Sequence, residues 1–177
     1  MRGRDKLLEP VAGGVALLAE RLATSGQTGQ RVFVTLPPRA QAEKRWQIAR
    51  AAGAHCVEIA HPEQGLSSSL IAGINALPDG VDGALILPAD MPDISADDLT
   101  KVLNAFDPAR VTRGSVGDKP GHPVLFPTAW FARLQPLRGD MGARDLLKSA
   151  QTHLVPLPGS HALTDLDTPQ DWQKWRG

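Results

Sequence analysis

The chain has 177 residues, and its 19 lysines and arginines balance 19 aspartates and glutamates. A neutral chain lacks the basic surface that nucleic acids and anionic membranes attract, so we expect neither partner and look instead to a small molecule or another protein. One cysteine, Cys56, excludes an internal disulfide and a multi-cysteine zinc site, and the absence of a long apolar run or a signal-peptide pattern favours a cytoplasmic protein.

Helix and strand patterns alternate along the first part of the chain. In order, the sequence predicts a helix over 15–22, a strand over 31–36, a helix over 40–52, a strand over 55–59, a helix opening at 67–69, a strand over 84–87 and a helix over 95–106. The last helix has Ser95 as its cap, with Asp98 three residues on. This alternation is typical of a parallel, doubly wound α/β sheet with right-handed crossovers. The length fits a single domain over 1–177.

The rhythm changes after Arg110. Short predicted strands at 111–112 and 123–126 flank the glycine-rich segment 114–121, which we interpret as a loop that covers a substrate. The remaining predicted elements are helices at 128–134 and 142–148, a strand at 153–157 and a C-terminal helix that begins at Pro169 behind the capping residue Thr168.

The run from Ala84 to Asp90 is the most informative stretch. Four consecutive aliphatic residues predict a short, fully buried strand of the parallel kind. Asp90 follows its carboxyl end, where open α/β sheets bind ligands, so its carboxylate is a candidate for holding a metal or a substrate. The alternative is that Asp90 only shapes the turn before Pro92 or caps a helix.

A second acidic turn carries Asp165 and Asp167, again after a predicted strand. If the two strands are neighbours, the carboxylates converge with Asp90 as hard oxygen ligands for Mg²⁺. If they are not, Asp165 and Asp167 are only favourable charges at the N-terminus of a helix.

Further positions are candidates for substrate binding, each with a structural alternative. The segment 65–69 offers backbone N–H groups and hydroxyls at a helix N-terminus, although serines are also ordinary caps; its candidates are Gly65, Ser67, Ser68 and Ser69. His122 places an imidazole beside a predicted strand, but a lone histidine is often structural. Asp140 lies in a turn and is equally able to begin a helix. Lys6 lies near a glycine and is a candidate for contact with a phosphate. The alternative is an ordinary solvated lysine on the surface.

Taken together, the motifs resemble a known family. Their order is KLL, QGLSSSL, LPADMP, GHPVLF, GDMGARDLL and DLDTPQD, between Lys6 and Asp171. This order is similar to that of the MobA-like nucleotidyltransferases, and most similar to the molybdenum cofactor cytidylyltransferase branch, because QGLSSSL favours CTP over GTP. The resemblance implies a Rossmann-like three-layer α/β sandwich with a mostly parallel sheet. It also implies attack of a molybdopterin phosphate on the α-phosphate of CTP, with release of pyrophosphate.

The resemblance also implies roles for individual residues. Asp90 matches the family's metal-binding aspartate, and Asp167 is the best match to the second acidic ligand of Mg²⁺, with Asp165 close behind. Lys6 matches the lysine that steadies the nucleotide phosphates. The serines Ser67, Ser68 and Ser69 match the segment that meets the base and ribose, and His122 and Asp140 match motifs on the pterin side. A molybdoenzyme or its chaperone is the partner that would receive the product.

The sequence departs from the family pattern at its beginning. Family members start with a strand and a glycine-rich loop of the form LAAGxSxRM before the KLL lysine, whereas this sequence opens with MRGRD. We therefore expect the first strand to be missing and catalysis by the chain as given to be impaired or absent. Two alternatives remain: a non-catalytic module that binds the cofactor on the pterin side, and a nucleotidyltransferase that uses GTP or a different phosphate acceptor.

Overall fold

The computed structural model describes residues 5–139, 143–148 and 150–176. Its strands are β1 (Phe33–Leu36), β2 (His55–Glu58), β3 (Gly83–Ile86), β4 (Thr112–Val116), β5 (Lys119–Pro127) and β6 (His153–Pro156). Its α-helices are α1 (Leu17–Gly26), α2 (Arg39–Ala51), α3 (Leu66–Asn75), α4 (Ala96–Asn104), α5 (Phe131–Leu134), α6 (Arg144–Lys148) and α7 (Pro169–Arg176). Short 3₁₀ helices cover Lys6–Leu8, Ala12–Gly14, Pro62–Gln64 and Thr128–Trp130.

The described strands form two sheets. One contains β1 and β2 in parallel, and the other has the order β3-β5-β4-β6. In the second sheet β4 and β6 are parallel, whereas β5 is antiparallel to both β3 and β4. The predicted α/β class is confirmed, and the antiparallel pairs arise because β4 turns directly into β5 instead of crossing over through a helix.

β3 differs from its prediction. It pairs antiparallel with β5, and of its apolar residues Ala84 is buried while Leu85 and Ile86 are half-buried. Among the described residues β3 lies at one end of its sheet, so one of its edges has no neighbouring strand and its side chains keep some access to solvent. The prediction of a fully buried parallel strand is therefore wrong. No strand precedes β1 in the described ranges.

The segment 114–121 is a hairpin and not an irregular loop. Ser115 pairs with Pro120 and Val116 with Lys119, so only Gly117 and Asp118 remain in the turn. Gly117 has a φ of +55°, the left-handed conformation that tight hairpin turns require and that glycine adopts at low cost. The earlier interpretation of this segment is wrong because a two-residue turn was not recognised.

The second sheet has helices on both faces. Val124 and Phe126 of β5 pack with Ile74 of α3 and Leu134 of α5 on one face. Leu125, which points to the opposite face, packs with Val102 of α4, with Val155 of β6 and with Leu157, which directly follows β6. This alternation along β5 produces the expected α/β/α layering. In the described part of the chain, no helix combines the length and apolar character needed to span a membrane.

The predicted N-cap of α4 is confirmed and also anchors a distant segment. The Ser95 hydroxyl accepts a hydrogen bond from the Asp98 N–H at 3.1 Å, and the Asp98 carboxylate accepts one from the Ser95 N–H at 2.9 Å. The same carboxylate lies 2.8 Å from Nδ1 of His161. The chain between β6 and α7 is thereby fixed to the start of α4, shortly before it reaches Asp165.

Candidate functional site

Three segments that are far apart in the sequence meet at one lysine. The ammonium group of Lys6 donates to Oδ2 of Asp90 and to Oδ1 of Asp167, each at 2.6 Å. Lys6 begins the first 3₁₀ helix, Asp90 follows β3, and Asp167 precedes α7. The side chain of Lys6 is 29 % exposed and that of Asp167 is 62 % exposed, so the cluster is open to solvent. Asp90 and Asp167 therefore converge, although the condition given for their convergence is not met, because β3 and β6 lie at opposite ends of the sheet.

The position of Lys6 is fixed by its neighbour Asp5. The Asp5 carboxylate accepts a hydrogen bond from the N–H of Leu7 at 3.1 Å and so caps the 3₁₀ helix. The same carboxylate accepts two hydrogen bonds from Arg45 of α2, at 2.7 Å from Nε and 2.6 Å from Nη2. A two-pronged guanidinium–carboxylate pair of this kind fixes orientation as well as distance.

The turn that carries Asp90 is held by α1. Arg21 is buried, with 4 % of its surface exposed, and its Nη1 donates to the carbonyl of Met91 at 2.9 Å and to that of Ile94. Its guanidinium also pairs with Glu20, so the buried charge is compensated. The backbone of Asp90 itself accepts a hydrogen bond from the N–H of Leu166 at 3.0 Å, which joins the two acidic turns.

Asp167 and Asp165 occupy different environments in the second turn. Asp167 reaches Lys6 and directly precedes the capping box of α7, in which Thr168 and Asp171 exchange hydrogen bonds. The pKa of Asp165 is raised, first by burial and then by the negative charges of Asp167 and Asp90. Asp165 therefore lies in the field of the other two carboxylates, and it is Asp167 that makes the contact with the lysine.

The two carboxylates hold Lys6 in its charged form. Burial acts to lower the pKa of Lys6, but the hydrogen bonds that Lys6 donates to Asp167 and Asp90, together with the charges of these carboxylates, outweigh it and raise the pKa. Lys6 is therefore a fixed positive charge across the physiological pH range. Such a charge suits the phosphates of a nucleotide.

The carboxylate pair also fits a divalent cation. Both face the same point, and carboxylate oxygens are the ligands that Mg²⁺ prefers. No cluster of three or more histidine, cysteine, aspartate or glutamate side chains suited to a metal is present within 5–139, 143–148 and 150–176. The protein would thus supply two ligands and leave the others to substrate phosphates and water, which is the usual arrangement for Mg²⁺.

His122 lies on β5 near Asp90. Burial, and next the positive charge of Arg113, lower the pKa of His122 to about 4, against weaker opposing effects from the backbone of Ile86 and the charge of Asp90. Nδ1 of the ring is buried and has no hydrogen-bond partner among the described residues. His122 is therefore neutral at pH 7.

The pKa of His122 predicts a dependence of stability on pH. Between pH 6.5 and pH 4 the unfolded chain binds a proton that the folded chain does not, so the free energy of unfolding falls as the pH is lowered, by up to about 3 kcal/mol for this residue. Urea titrations of the wild type and of His122→Gln at a series of pH values check this. The difference between the two proteins should change over that window, and an identical pH profile for both would contradict the assigned pKa.

The segment 65–69 forms the entrance to α3, which begins at Leu66. Gly65 has a φ of +81° at the N-cap, and no side chain caps the helix. Ser67 is buried, and Ser68 and Ser69 are half-buried. The described contacts do not join this segment to Lys6. A cleft of about 390 Å³ adjoins the segment 65–69 and is lined by Glu63, Gln64, Arg138 and Gly139.

Asp140, which the sequence analysis names as a candidate on the pterin side, lies outside the described residues.

The comparison with protein families identifies the family of the chain. The model of the MobA-like NTP transferase domain matches residues 1–155. The chain belongs to this family. The resemblance in the order of the sequence motifs is thereby confirmed, and so is the assignment as a nucleotidyltransferase. The match ends before Asp165 and Asp167, so it does not cover these two residues of the MobA-like protein.

Two relatives are similar to nearly the whole of this MobA-like chain. It is 29 % identical to the purine catabolism protein PucB of Bacillus subtilis, with 98 % of this chain and 89 % of that protein covered. The crystal structure of Rv0371c from Mycobacterium tuberculosis has a TM-score of 0.82 and 25 % identity over 97 % of this chain and 88 % of that one. A manganese complex of Rv0371c has a TM-score of 0.78 and 24 % identity over 96 % and 89 % of the two chains.

A third, more distant structure shares the MobA-like fold. The molybdopterin-guanine dinucleotide biosynthesis protein A of Archaeoglobus fulgidus has a TM-score of 0.65 and 14 % identity, with 97 % of this chain and 89 % of that one covered. Identity at this level shows the fold alone. The assignment to the nucleotide-diphospho-sugar transferase type of fold is therefore confirmed.

Sequence reasoning missed the residues that hold the MobA-like site together. Asp5 and Arg45 fix Lys6, and Arg21 fixes the turn after Asp90. The acidic residue before Lys6 is the sort of capping signal that could have been recognised. Arg21 gave no signal, since an arginine in a helical pattern ordinarily points to solvent.

Proposed function

We propose that this MobA-like protein transfers CMP from CTP to the phosphate of a molybdopterin-type acceptor and releases pyrophosphate. The observation that carries the proposal is the position of the Lys6 ammonium group, 2.6 Å from both Asp90 and Asp167 beyond the carboxyl end of β3. Ligands of open α/β proteins bind at that end of the strands. Residues 1–177 are proposed to act as one domain, because Trp172 of α7 packs against Leu17 of α1.

The chemistry requires positioning and charge compensation. An oxygen of the acceptor phosphate forms a bond to the α-phosphorus of CTP, while the bond from that phosphorus to the oxygen shared with the β-phosphate breaks. Pyrophosphate leaves with the electron pair of the broken bond, so no protein nucleophile is needed. Lys6 holds a positive charge against the phosphates, and Asp90 and Asp167 would hold Mg²⁺. When bound, Mg²⁺ would neutralise charge on the phosphate oxygens.

The two substrates are assigned to the two sides of the Asp90 turn. The entrance to α3, with Gly65, Ser67, Ser68 and Ser69, is proposed to meet the base and ribose of the nucleotide. His122 and Asp140 are proposed for the acceptor side, where the neutral ring of His122 adds no charge. CTP is preferred to GTP on the strength of QGLSSSL, and the molybdopterin-type acceptor is proposed from the resemblance of the motif order to the molybdenum cofactor cytidylyltransferase branch. A molybdoenzyme or its chaperone is the proposed recipient of the product.

Pyrophosphate release measured across substrates tests the proposal. The wild-type chain is incubated with Mg²⁺ and either CTP or GTP, with molybdopterin or a sugar phosphate as the acceptor. Release that needs both CTP and molybdopterin, and that stops when Mg²⁺ is chelated, is the expected result, even where its rate is low. Release with GTP or with a sugar phosphate would replace the nucleotide or the acceptor in the proposal. Binding of molybdopterin without pyrophosphate release from either nucleotide would favour the non-catalytic module.

A further inference from the structure

The C-terminal helix α7 makes a side-chain contact with the turn that carries Asp90. The indole Nε1–H of Trp175 donates to Oδ1 of Asp93 at 2.7 Å, across 82 positions of sequence. Asp93 lies three residues after Asp90 in the same turn. A buried or half-buried indole N–H ordinarily has a partner, and here that partner belongs to the candidate site.

The same helix also contacts the segment that carries Lys6. Trp172 is buried against Leu17 and Leu166, with Leu7 packed beside them. Arg176 donates to the carbonyl of Pro10 at 2.8 Å. Because Trp172 and Trp175 meet edge to face, with ring centroids 6.2 Å apart, these contacts form one unit. The helix therefore touches the segments on both sides of the lysine–carboxylate contact.

The Asp90 turn has two side-chain anchors of different kinds, besides the backbone hydrogen bond from Leu166. Arg21 holds the backbone carbonyls of Met91 and Ile94 from α1. Trp175 holds the Asp93 side chain from α7. The first contact fixes the path of the backbone, and the second ties that path to the helix that begins two residues after Asp167. The hydrogen bond from Trp175 to Asp93 is thus a link between the two acidic turns in addition to the backbone hydrogen bond from Leu166 to Asp90.

We propose that Trp175 is a positioning residue of the nucleotidyl-transfer site. It acts through Asp93 to hold the carboxylate of Asp90 in its position relative to that of Asp167. The inference rests on the proposed function, because it assumes that Asp90 and Asp167 bind the metal together. It extends that function beyond residue 155, where the match to the family model ends. Partners that orient metal ligands commonly affect metal affinity by about 10- to 100-fold. Trp175 is one contact further from the metal than such a partner. We therefore expect its replacement to lower the metal affinity by about tenfold, the lower end of that range.

Mn²⁺ binding measured by water-proton relaxation tests the inference without relying on activity. The full chain is titrated with MnCl₂ alone, as wild type and as Trp175→Phe, which keeps an aromatic ring but removes the N–H. We expect the Kd for Mn²⁺ to rise about tenfold in Trp175→Phe. Gln173→Ala, at an exposed position of the same helix, is the matched control and should bind Mn²⁺ as the wild type does.

A double-mutant cycle separates positioning from general destabilisation. Asp93→Asn keeps an oxygen acceptor for the indole, so Trp175→Phe should still weaken binding in that background. Asp93→Ala removes the acceptor, so Trp175→Phe should then have no further effect. A lower melting temperature of Trp175→Phe with an unchanged Kd for Mn²⁺ would assign a merely structural role and overturn the inference. Equal effects in both backgrounds would overturn it as well.

The failure of the proposed function has a different outcome. If the wild type binds Mn²⁺ no better than Asp90→Asn does, the carboxylate pair is not a metal site, and both conclusions are wrong. If the wild type binds Mn²⁺ and Asp90→Asn does not, the metal site stands, and the comparison of Trp175→Phe with Gln173→Ala decides the role of Trp175 alone.

Discussion

Replacement of Asp90 by asparagine is expected to lower kcat/KM for pyrophosphate release by about a thousandfold or more while the fold stays intact. Asparagine keeps the shape of the side chain but removes the charge that a divalent cation needs. A metal contributes several kcal/mol of charge stabilisation in the transition state. A loss of about 4 kcal/mol corresponds to about a thousandfold in rate. Steady-state kinetics with CTP and molybdopterin measure the effect, and thermal unfolding confirms that the variant is folded.

An acidic residue at the other end of β3 provides the matched control for Asp90. Asp82 is exposed, directly precedes β3, and contributes its backbone carbonyl to Thr128. Asp82→Asn removes one negative charge from the same strand, but at the end away from Lys6. Turnover by Asp82→Asn should equal that of the wild type. Near-normal turnover by Asp90→Asn would remove Asp90 from the site.

Replacement of Lys6 by methionine is expected to have two effects of opposite sign. Turnover should fall by about a hundredfold or more, because a charged group that compensates phosphates is commonly worth a few kcal/mol. Mn²⁺ binding in the absence of nucleotide should become several-fold tighter. The reason is that the ammonium group lies 2.6 Å from both carboxylates and therefore competes with a cation for them.

Kinetics and Mn²⁺ titrations on the same preparations check both effects. Lys6→Arg retains the positive charge and should leave the affinity for Mn²⁺ close to that of the wild type. Weaker Mn²⁺ binding by Lys6→Met would mean that Lys6 supports the cation instead of competing with it. Unchanged turnover would exclude Lys6 from contact with the phosphates.

Much of the fold could be predicted because its signals are local. The cap at Ser95, the cap at Thr168 and the alternation of apolar runs through α4 all lie within a few residues of the elements they define. The hairpin over 114–121 was missed because glycine is common in loops. Here it marks close backbone approach: a Cβ at Gly121 would lie 2.0 Å from the carbonyl of Ala162, and one at Gly114 would lie 2.2 Å from that of His122.

The prediction of a parallel pairing for β3 was wrong for a different reason. A run of four aliphatic residues reports that a segment is apolar, but it does not report which strand lies beside it. The partner of β3 is β5, reached only after α4 and β4. Long-range pairing of this kind depends on the whole chain.

The residues of the candidate site could be predicted from the sequence, but their spatial arrangement could not. Lys6, Asp90 and Asp167 could be named from motifs, yet they are separated by 84 and 161 positions from the lysine, and only the folded chain shows them in contact. The groups that hold them, Arg21 and Trp175, act through hydrogen bonds over 70 to 82 positions. No local pattern reports a partner at that distance.

Calorimetric titration with CTP in the presence and absence of Mg²⁺ determines whether Lys6, Asp90 and Asp167 together bind a metal-bound nucleotide. We expect micromolar binding of CTP by the wild type that needs Mg²⁺, is weaker for GTP and is lost in Asp90→Asn. Binding of CTP that is equally strong without Mg²⁺ and unchanged in Asp90→Asn, or no heat with either nucleotide, would contradict this expectation.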